Sequence, residues 1–178
     1  MTAGTTRLAH ERDAPAIARI YNDGIADRIA TFETEPRSAD DIIRVLAQRG
    51  DRWPTVVVER DGRVVAWAGA SEYRSRECYA GVAEFSVYVA REHRGRGAGR
   101  VAMEALIAEC ERRGMWKLVS RVFPENAPSR ALLAGLGFRE VGTYRRHAKL
   151  DGLWRDTVIV ERLIGDAAAM SESPVEGR

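Results

Sequence analysis

Glu84-Phe85-Ser86-Val87-Tyr88-Val89-Ala90-Arg91-Glu92-His93-Arg94-Gly95-Arg96-Gly97-Ala98-Gly99-Arg100 changes character twice along its length. Glu84 to Val89 alternates in polarity and is rich in Phe, Val and Tyr, which suits a half-buried strand. Gly95, Gly97 and Gly99 follow. Val101 to Cys110 then has helix-forming composition, with apolar residues about three and four apart. A strand that runs through a glycine-rich turn into a helix is a device for holding phosphate. Glycine lets backbone come close to a ligand, and the unpaired N–H groups of the first helical turn face the anion with the dipole behind them. Arg94, Arg96 and Arg100 bracket the turn with positive charge. A solvated basic turn is the plainer reading of the same residues and stays open at this point. A P-loop is excluded because no Lys-Ser or Lys-Thr pair follows the glycines. A dinucleotide fingerprint fits poorly, because these glycines fall at every second position in mid-chain.

The rest of the composition narrows the class. With 178 residues the chain is long enough for one domain with a sizeable core. Its net charge is only +2 and its acids and bases are interspersed, which disfavours nucleic acid or a membrane surface as partner. Cys78 and Cys110 have neither CxxC nor metal spacing, and His10, His93 and His147 are scattered, so no metal site is expected. Cys110 falls on the apolar face of its helix and reads as core. The longest apolar run, Val64 to Ala70, is too short to span a bilayer and no secretory segment opens the sequence, so a cytoplasmic location is expected.

Taken in order, Thr5 to Ala9 reads as a first strand. Asp13 is placed to cap a helix beginning near Ala14-Pro15, with Gly24 at its frayed end. Phe32 stands alone in a polar connection. Ser38-x-x-Asp41 resembles a capping box for a second helix that Gly50 ends. Thr55 to Glu59, Val64 to Tyr73 and Tyr79 to Val89 form an antiparallel meander, with Asp61-Gly62 as the first hairpin turn. The helix after the glycine turn closes at Gly114. It leads to a strand over Lys117 to Val122 that must lie parallel to the one before it. A further helix runs from Ser129 to Leu136. Phe138 to His147 and Leu153 to Leu163 form a second hairpin about Asp151-Gly152. Gly165 to Arg178 is small and polar and reads as a loose tail, so residues 1–165 make the domain and 166–178 the tail.

Arg94-x-x-Gly97-x-Gly99 after a strand resembles the acetyl-CoA signature of the GNAT N-acetyltransferases, and Asn126-x-x-Ser129 with Leu136-Gly137-Phe138 resembles that family's second cofactor motif. The likeness extends over residues 5 to 164. Ile20-Tyr21-Asn22, Thr31-Phe32-x-Thr34-Glu35-Pro36, Glu84 to Val89 and Gly152-x-Trp154-x-Asp156 resemble the phosphinothricin, arsinothricin and methionine-sulfone acetylating group. The resemblance implies a mixed α/β fold. Its central twisted sheet is mostly antiparallel with one parallel strand pair, and helices flank it. It also implies acetyl-CoA as co-substrate, no metal, and a homodimer whose subunits complete each other's clefts. The turn Arg94, Gly95, Arg96, Gly97, Ala98, Gly99 and Arg100 would hold the cofactor diphosphate. Val87, Tyr88, Val89, Asn126 and Ser129 would line the pantetheine arm.

An ammonium has no lone pair, so acetyl transfer needs a group that takes a proton from the amine. Glu84 is the candidate; an ordinary exposed strand carboxylate is the alternative. A strand N–H would steady the charge that develops on the thioester oxygen. Arg74 and Arg76 are candidates for an acceptor's anionic groups, and Phe32 and Tyr79 for its apolar part. Each of these has a purely structural alternative, a solvated loop or simple packing. The family's usual tyrosine in the second motif is replaced by Leu132-Leu133, so the thiolate must be protonated from elsewhere. Asp151 precedes the Gly-x-Trp of the last hairpin, where the related enzymes often carry His or Phe. The expected activity is N-acetylation of a small amino acid of the phosphinothricin, arsinothricin or methionine-sulfone type, giving resistance by detoxification. Acetylation of a protein N-terminus or another amine, or a silent CoA-binding regulatory module, are the alternatives.

Overall fold

The computed structural model describes residues 4–170. Seven strands form one sheet in the order β1-β2-β3-β4-β5-β7-β6: β1 (Thr5–Leu8), β2 (Thr55–Arg60), β3 (Arg63–Glu72), β4 (Val82–Val89), β5 (Lys117–Val122), β6 (Arg139–Leu150) and β7 (Leu153–Leu163). Only β4 and β5 are parallel, as the helical crossover between them requires. The helices are α1 (Ala14–Asp27), α2 (Ala39–Arg49), α3 (Ala98–Arg112), α4 (Ala127–Ala134) and a short α5 (Gly165–Ala169).

The middle strands are buried on both faces, which is why Val56-Val57-Val58 is apolar without a break. Val56 and Val58 join Phe85, Met103, Leu106 and Leu118 beneath α3. Val57 and Trp67 join Ile17, Ile20 and Ile42 beneath α1 and α2. Cys110 is fully buried in the first of these cores, and burial pushes its thiol up to about 12, so it packs as an apolar residue. The Asp-Gly turns form as expected, with φ of 50° and 72° at Asp61 and Gly62 and of 48° and 78° at Asp151 and Gly152. At the start of α2 the Ser38–Asp41 capping box is complete. Hydrogen bonds from the Ser38 backbone and hydroxyl hold the Asp41 carboxyl down to about 2.

Several boundaries differ from the sequence expectation, each for a local reason. Helix α1 does not stop at Gly24 but continues to Asp27, where Arg28 turns left-handed at φ 60°. Gly24 is a point of close approach: a Cβ there would lie 2.7 Å from Cε1 of Tyr88. Asp13 occupies the N-cap of α1 without capping it. Its carboxylate instead accepts from Arg7 Nη1 and Nη2 at 2.7 and 2.8 Å and from the His10 N–H at 2.8 Å. Tyr79 lies in a 3-10 turn, Glu77–Tyr79, and β4 begins only at Val82. Helix α5 occupies the beginning of the stretch read as a tail; residues 171–178 lie outside the described residues.

The Arg7–Asp13 pair ties β1 to α1, and Asp13 is 5% exposed. Burial opposes its charge, but the Arg7 and His10 hydrogen bonds together hold the carboxyl below its ordinary range. A depressed folded-state pKa contributes stability above the unfolded value of about 3.9, and that stability is lost as pH falls through the folded value. Asp13→Asn should therefore cost about 2 kcal/mol near neutral pH. The gap from wild type should narrow below about pH 4, as read by denaturant unfolding at the two pH values.

Candidate active site

The parallel pairing of β4 with β5 lasts for three residue pairs, Val82–Lys117, Ala83–Leu118 and Glu84–Val119, and then stops. β4 stays bound to β3 on its other side as far as Val89, while β5 stays bound to β7 as far as Val122. The two strands therefore part after Glu84. The Ser120 hydroxyl donates to the Phe85 carbonyl at 2.9 Å where they separate. A small cavity of about 70 Å³ fills the opening, with Ser86, Val87, Arg121 and Phe123 in its wall. Beyond it, a cleft of about 550 Å³ runs along Val87–Val89 to the glycine turn.

The cleft ends on backbone. Gly95 and Gly97 have φ of 70° and 81°, a region that side-chain-bearing residues adopt only at a cost. Gly97 is the N-cap of α3. The N–H groups of Gly95, Arg96 and Gly97 have no backbone acceptor among the described residues, and those of Ala98, Gly99 and Arg100 are the unpaired donors of a helix start. Val87, Tyr88, Val89, Arg94, Gly95, Gly97, Ala98, Gly99, Arg100, Asn126 and Ser129, each a candidate from sequence, all line this one cleft; Arg96 does not. Asn126 caps α4 by accepting from the Ser129 N–H at 3.2 Å, and its amide donates to the Ile29 carbonyl at 3.0 Å. It thereby closes the cleft against the chain that follows α1.

The arginines of the turn are less available than the sequence suggests. Arg94 reaches Asp27 at 2.7 Å and the Val89 carbonyl at 3.1 Å. Arg100 donates to the Gly135 carbonyl at 3.1 Å and approaches Glu104 at 3.5 Å. Asp27 also accepts from Arg91 at 2.6 Å. Its burial works against the charge, but Arg94 and Arg91 together hold the carboxyl below its ordinary range. The charge of Arg94 is thus shared with Asp27, and the cleft end presents backbone amides beside the partnered Arg94 and Arg100.

Glu84 sits half-buried at the fork, paired with Arg121, whose Nε donates to Oε1 at 3.2 Å. Arg121 is a residue the sequence reading missed. Alternation along β5 puts it on the face of Val119, and the parallel register puts Val119 beside Glu84. That register is the information a single strand does not carry. Ser86 and Tyr88 follow Glu84 on the same face. The Tyr88 ring stacks on Trp67 at 5.1 Å and meets Tyr21 edge-on at 4.8 Å, and burial raises its phenol above the usual range. Phe32 packs edge-on against Phe123 at 4.8 Å. Tyr79 packs edge-on against Tyr73 at 5.6 Å. Arg74 and Arg76 are exposed on the loop leaving β3. Phe32, Tyr79, Arg74 and Arg76 line neither the cleft nor the small cavity at the fork. No cluster suited to a metal ion exists among the described residues, and no helix among them is long and apolar enough to cross a membrane.

The acetyltransferase (GNAT) family profile matches residues 17–138. The phosphinothricin N-acetyltransferase of Alcaligenes faecalis is 36% identical over 163 residues, covering 90% of this chain and 82% of the relative. The L-methionine sulfoximine/L-methionine sulfone acetyltransferase of Salmonella typhimurium is 31% identical over 170 residues, covering 93% of this chain and 97% of the relative. Among solved structures, the GNAT superfamily phosphinothricin acetyltransferase of Sinorhizobium meliloti in complex with AcCoA superposes with a TM-score of 0.87. It has 30% identity, covering 99% of this chain and 95% of that one.

If the backbone of the turn holds the ligand, changing its conformation should matter more than removing charge. Gly97→Ala should weaken CoA binding, measured by calorimetry, about 5–30-fold, the equivalent of the 1–2 kcal/mol strain of a left-handed alanine. Gly62→Ala carries similar strain in a distant hairpin, at φ 72°, and should leave CoA affinity unchanged.

Proposed function

This chain belongs to the GNAT family and is an N-acetyltransferase that uses acetyl-CoA; from that premise we propose that its acceptor is the α-amine of a small, oxidised amino acid of the phosphinothricin or methionine-sulfone type. The observation that carries this reading is Glu84 at the fork between β4 and β5, within the same strand whose later residues line the cleft. The free amides of residues 95–100 suit a diphosphate, and the unpaired edge of β4 suits an extended amide arm that adds to it as a strand would. The bound thioester supplies the acetyl group. Glu84 takes the proton of the incoming ammonium, directly or through a water, so that the nitrogen has a lone pair to attack with. Arg121 fixes where the carboxylate sits. An N–H of β4 past the fork faces the oxygen that gains charge, a stabilisation that works because the donor is already in place. No side chain at Leu132 or Leu133 can return a proton to the departing thiolate, so water is assigned that step.

The proposal includes a homodimer. The outer hairpin exposes Tyr144, Leu153 and Trp154, more apolar surface than an isolated edge favours. Because Arg74 and Arg76 are exposed and do not line the cleft of their own chain, we place them at the mouth of a neighbouring copy's cleft, where they meet the acceptor's carboxylate; Phe32 and Tyr79 supply apolar contacts around it. Detoxification of such compounds is the physiological role this reading suggests, with arsinothricin as a further acceptor to try.

Thiol release should be measured with phosphinothricin, methionine sulfone, arsinothricin, common amino acids and a peptide N-terminus. The oxidised amino acids should give the highest kcat/KM, and Glu84→Gln should lower it by about 10²–10⁴-fold without weakening CoA binding. Preference for the peptide, or a fully active Glu84→Gln, would overturn the reading. Mixing inactive Glu84→Gln chains with inactive Arg74→Ala/Arg76→Ala chains should restore activity that neither shows alone; no recovery would remove the shared cleft.

A further inference from the structure

A second chamber, of about 120 Å³, lies on the α1–α2 face of the sheet, away from the glycine turn. Its floor is a row set by strand register: Thr55 on β2 pairs with Gly69 on β3, and Gly69 pairs with Ser86 on β4. The Arg49 guanidinium, from the last turn of α2, lies across the middle of that row. A Cβ at position 69 would stand 2.4 Å from Arg49 Nη1, so glycine is what lets the guanidinium lie against the sheet. Arg49 donates to the Thr55 hydroxyl at 2.8 Å and has no ion-pair partner among the described residues. Burial lowers its pKa from the ordinary arginine value; the Glu33 carboxylate in the same wall is taken by Arg37. Trp67, 5% exposed, lines the same chamber, and its Nε1–H has no acceptor among the described residues. The remaining wall is Ile17, Ile42, Val45 and Leu46 on the apolar side, with Tyr21 and the Glu33–Arg37 ion pair on the polar side.

A half-buried cation without an ion-pair partner and a buried donor without an acceptor are each unfavourable, and folded proteins rarely keep both in one chamber unless something satisfies them. One chemical group would answer both. It must offer oxygen acceptors to the guanidinium and the indole N–H, and an apolar end to the aliphatic wall. We propose that this chamber is the side-chain subsite for the acceptor, and that it selects a methyl-phosphinyl or methyl-sulfonyl group. The oxygens accept from Arg49 and Trp67 Nε1, and the methyl lies against Ile17, Ile42 and Leu46. This rests on the amino-acid N-acetyltransferase reading above and adds the residues that choose among amino acids.

The size and position agree. An apolar cavity of about 150 Å³ is enough for benzene, so this chamber is of the right order for a single tetrahedral group with its methyl. Ser86 borders both this chamber and the opening between β4 and β5. Glu84 is two residues back on the same strand face, roughly 7 Å away. An amino acid with its amine at Glu84 can therefore extend its side chain over Ser86 toward Gly69. Methionine, which lacks the oxygens, would leave Arg49 and the indole N–H unpaired, and a site built for hydrogen bonds discriminates strongly against such an analogue.

The experiment reads occupancy and turnover separately. The Trp67 indole ¹H–¹⁵N resonance, assigned by its loss in Trp67→Phe, is followed in the CoA-bound protein as phosphinothricin, methionine sulfone or methionine is added. Phosphinothricin and methionine sulfone should move it and methionine should not. In Arg49→Met, KM for phosphinothricin should rise at least about tenfold while KM for methionine changes less than about threefold. If Arg49→Met does not fold, Arg49→Lys, which keeps the charge and loses the fork, should shift the same ratio in the same direction. An indole resonance unmoved by saturating phosphinothricin that the enzyme nevertheless acetylates would overturn the subsite and leave the acetyltransferase reading intact. An indole shift without acetylation of any amino acid would support the subsite and overturn that reading. Equal loss toward every acceptor in both Arg49 variants would make the arginine structural and overturn the proposal.

Discussion

Three residue pairs of parallel ladder between β4 and β5, and no more, are the constraint on which this molecule depends. Were the pairing to continue past Glu84, the edge of β4 would be occupied and no cleft would exist. The pairing cannot simply be absent either, because α3 needs both strands in one sheet to pack beneath them. The compromise is a fork. Its closed end sets Glu84 beside Val119 and the Arg121 pair, and its open end leads along Val87–Val89 to the start of α3. The side chains beneath the fork keep it open: Phe85 packs against Phe138 at 5.0 Å, and Ser120 bridges to the Phe85 carbonyl.

The electrostatics of the cleft follow a second pattern, in which backbone does the work that side-chain charge suggests from sequence. Asp27 draws Arg91 and Arg94 toward the end of α1, and the pair of ion contacts locks that helix end to the turn. The glycines of the turn then present N–H groups whose direction is fixed by φ rather than by flexible side chains. Fixed donors lose little freedom when a ligand arrives, which is the advantage of a helix start over a patch of lysines.

How much of this was legible in the sequence depended on whether the signal was local. The strand, glycine turn and helix around Glu84–Arg100 follow from composition and period alone, as do the Asp61-Gly62 and Asp151-Gly152 turns and the Ser38–Asp41 box. Gly24 misleads because glycine serves two purposes. Here it admits the Tyr88 ring instead of ending a helix, and only the tertiary contact distinguishes the two. Asp13 looks like a cap, but Arg7, six residues earlier, claims its carboxylate. Arg121 beside Glu84 results from register between strands distant in sequence, and Arg49 over Gly69 from the way α2 lies on the sheet; no single segment encodes either. The candidate cofactor residues were legible as a group because they fall in two continuous stretches and one capped turn. The candidate acceptor residues were not, because Arg74, Arg76, Phe32 and Tyr79 come from separate loops whose relative placement is set by the whole fold.

The most direct test of the central claim is a crystal structure with acetyl-CoA bound. The diphosphate should lie on the N–H groups of residues 95–100, with the pantetheine arm along Val87–Val89 and the thioester at the parting of β4 and β5, nearer to Glu84 than to any other carboxylate. A diphosphate seated on other groups, or a thioester outside the fork, would contradict the account.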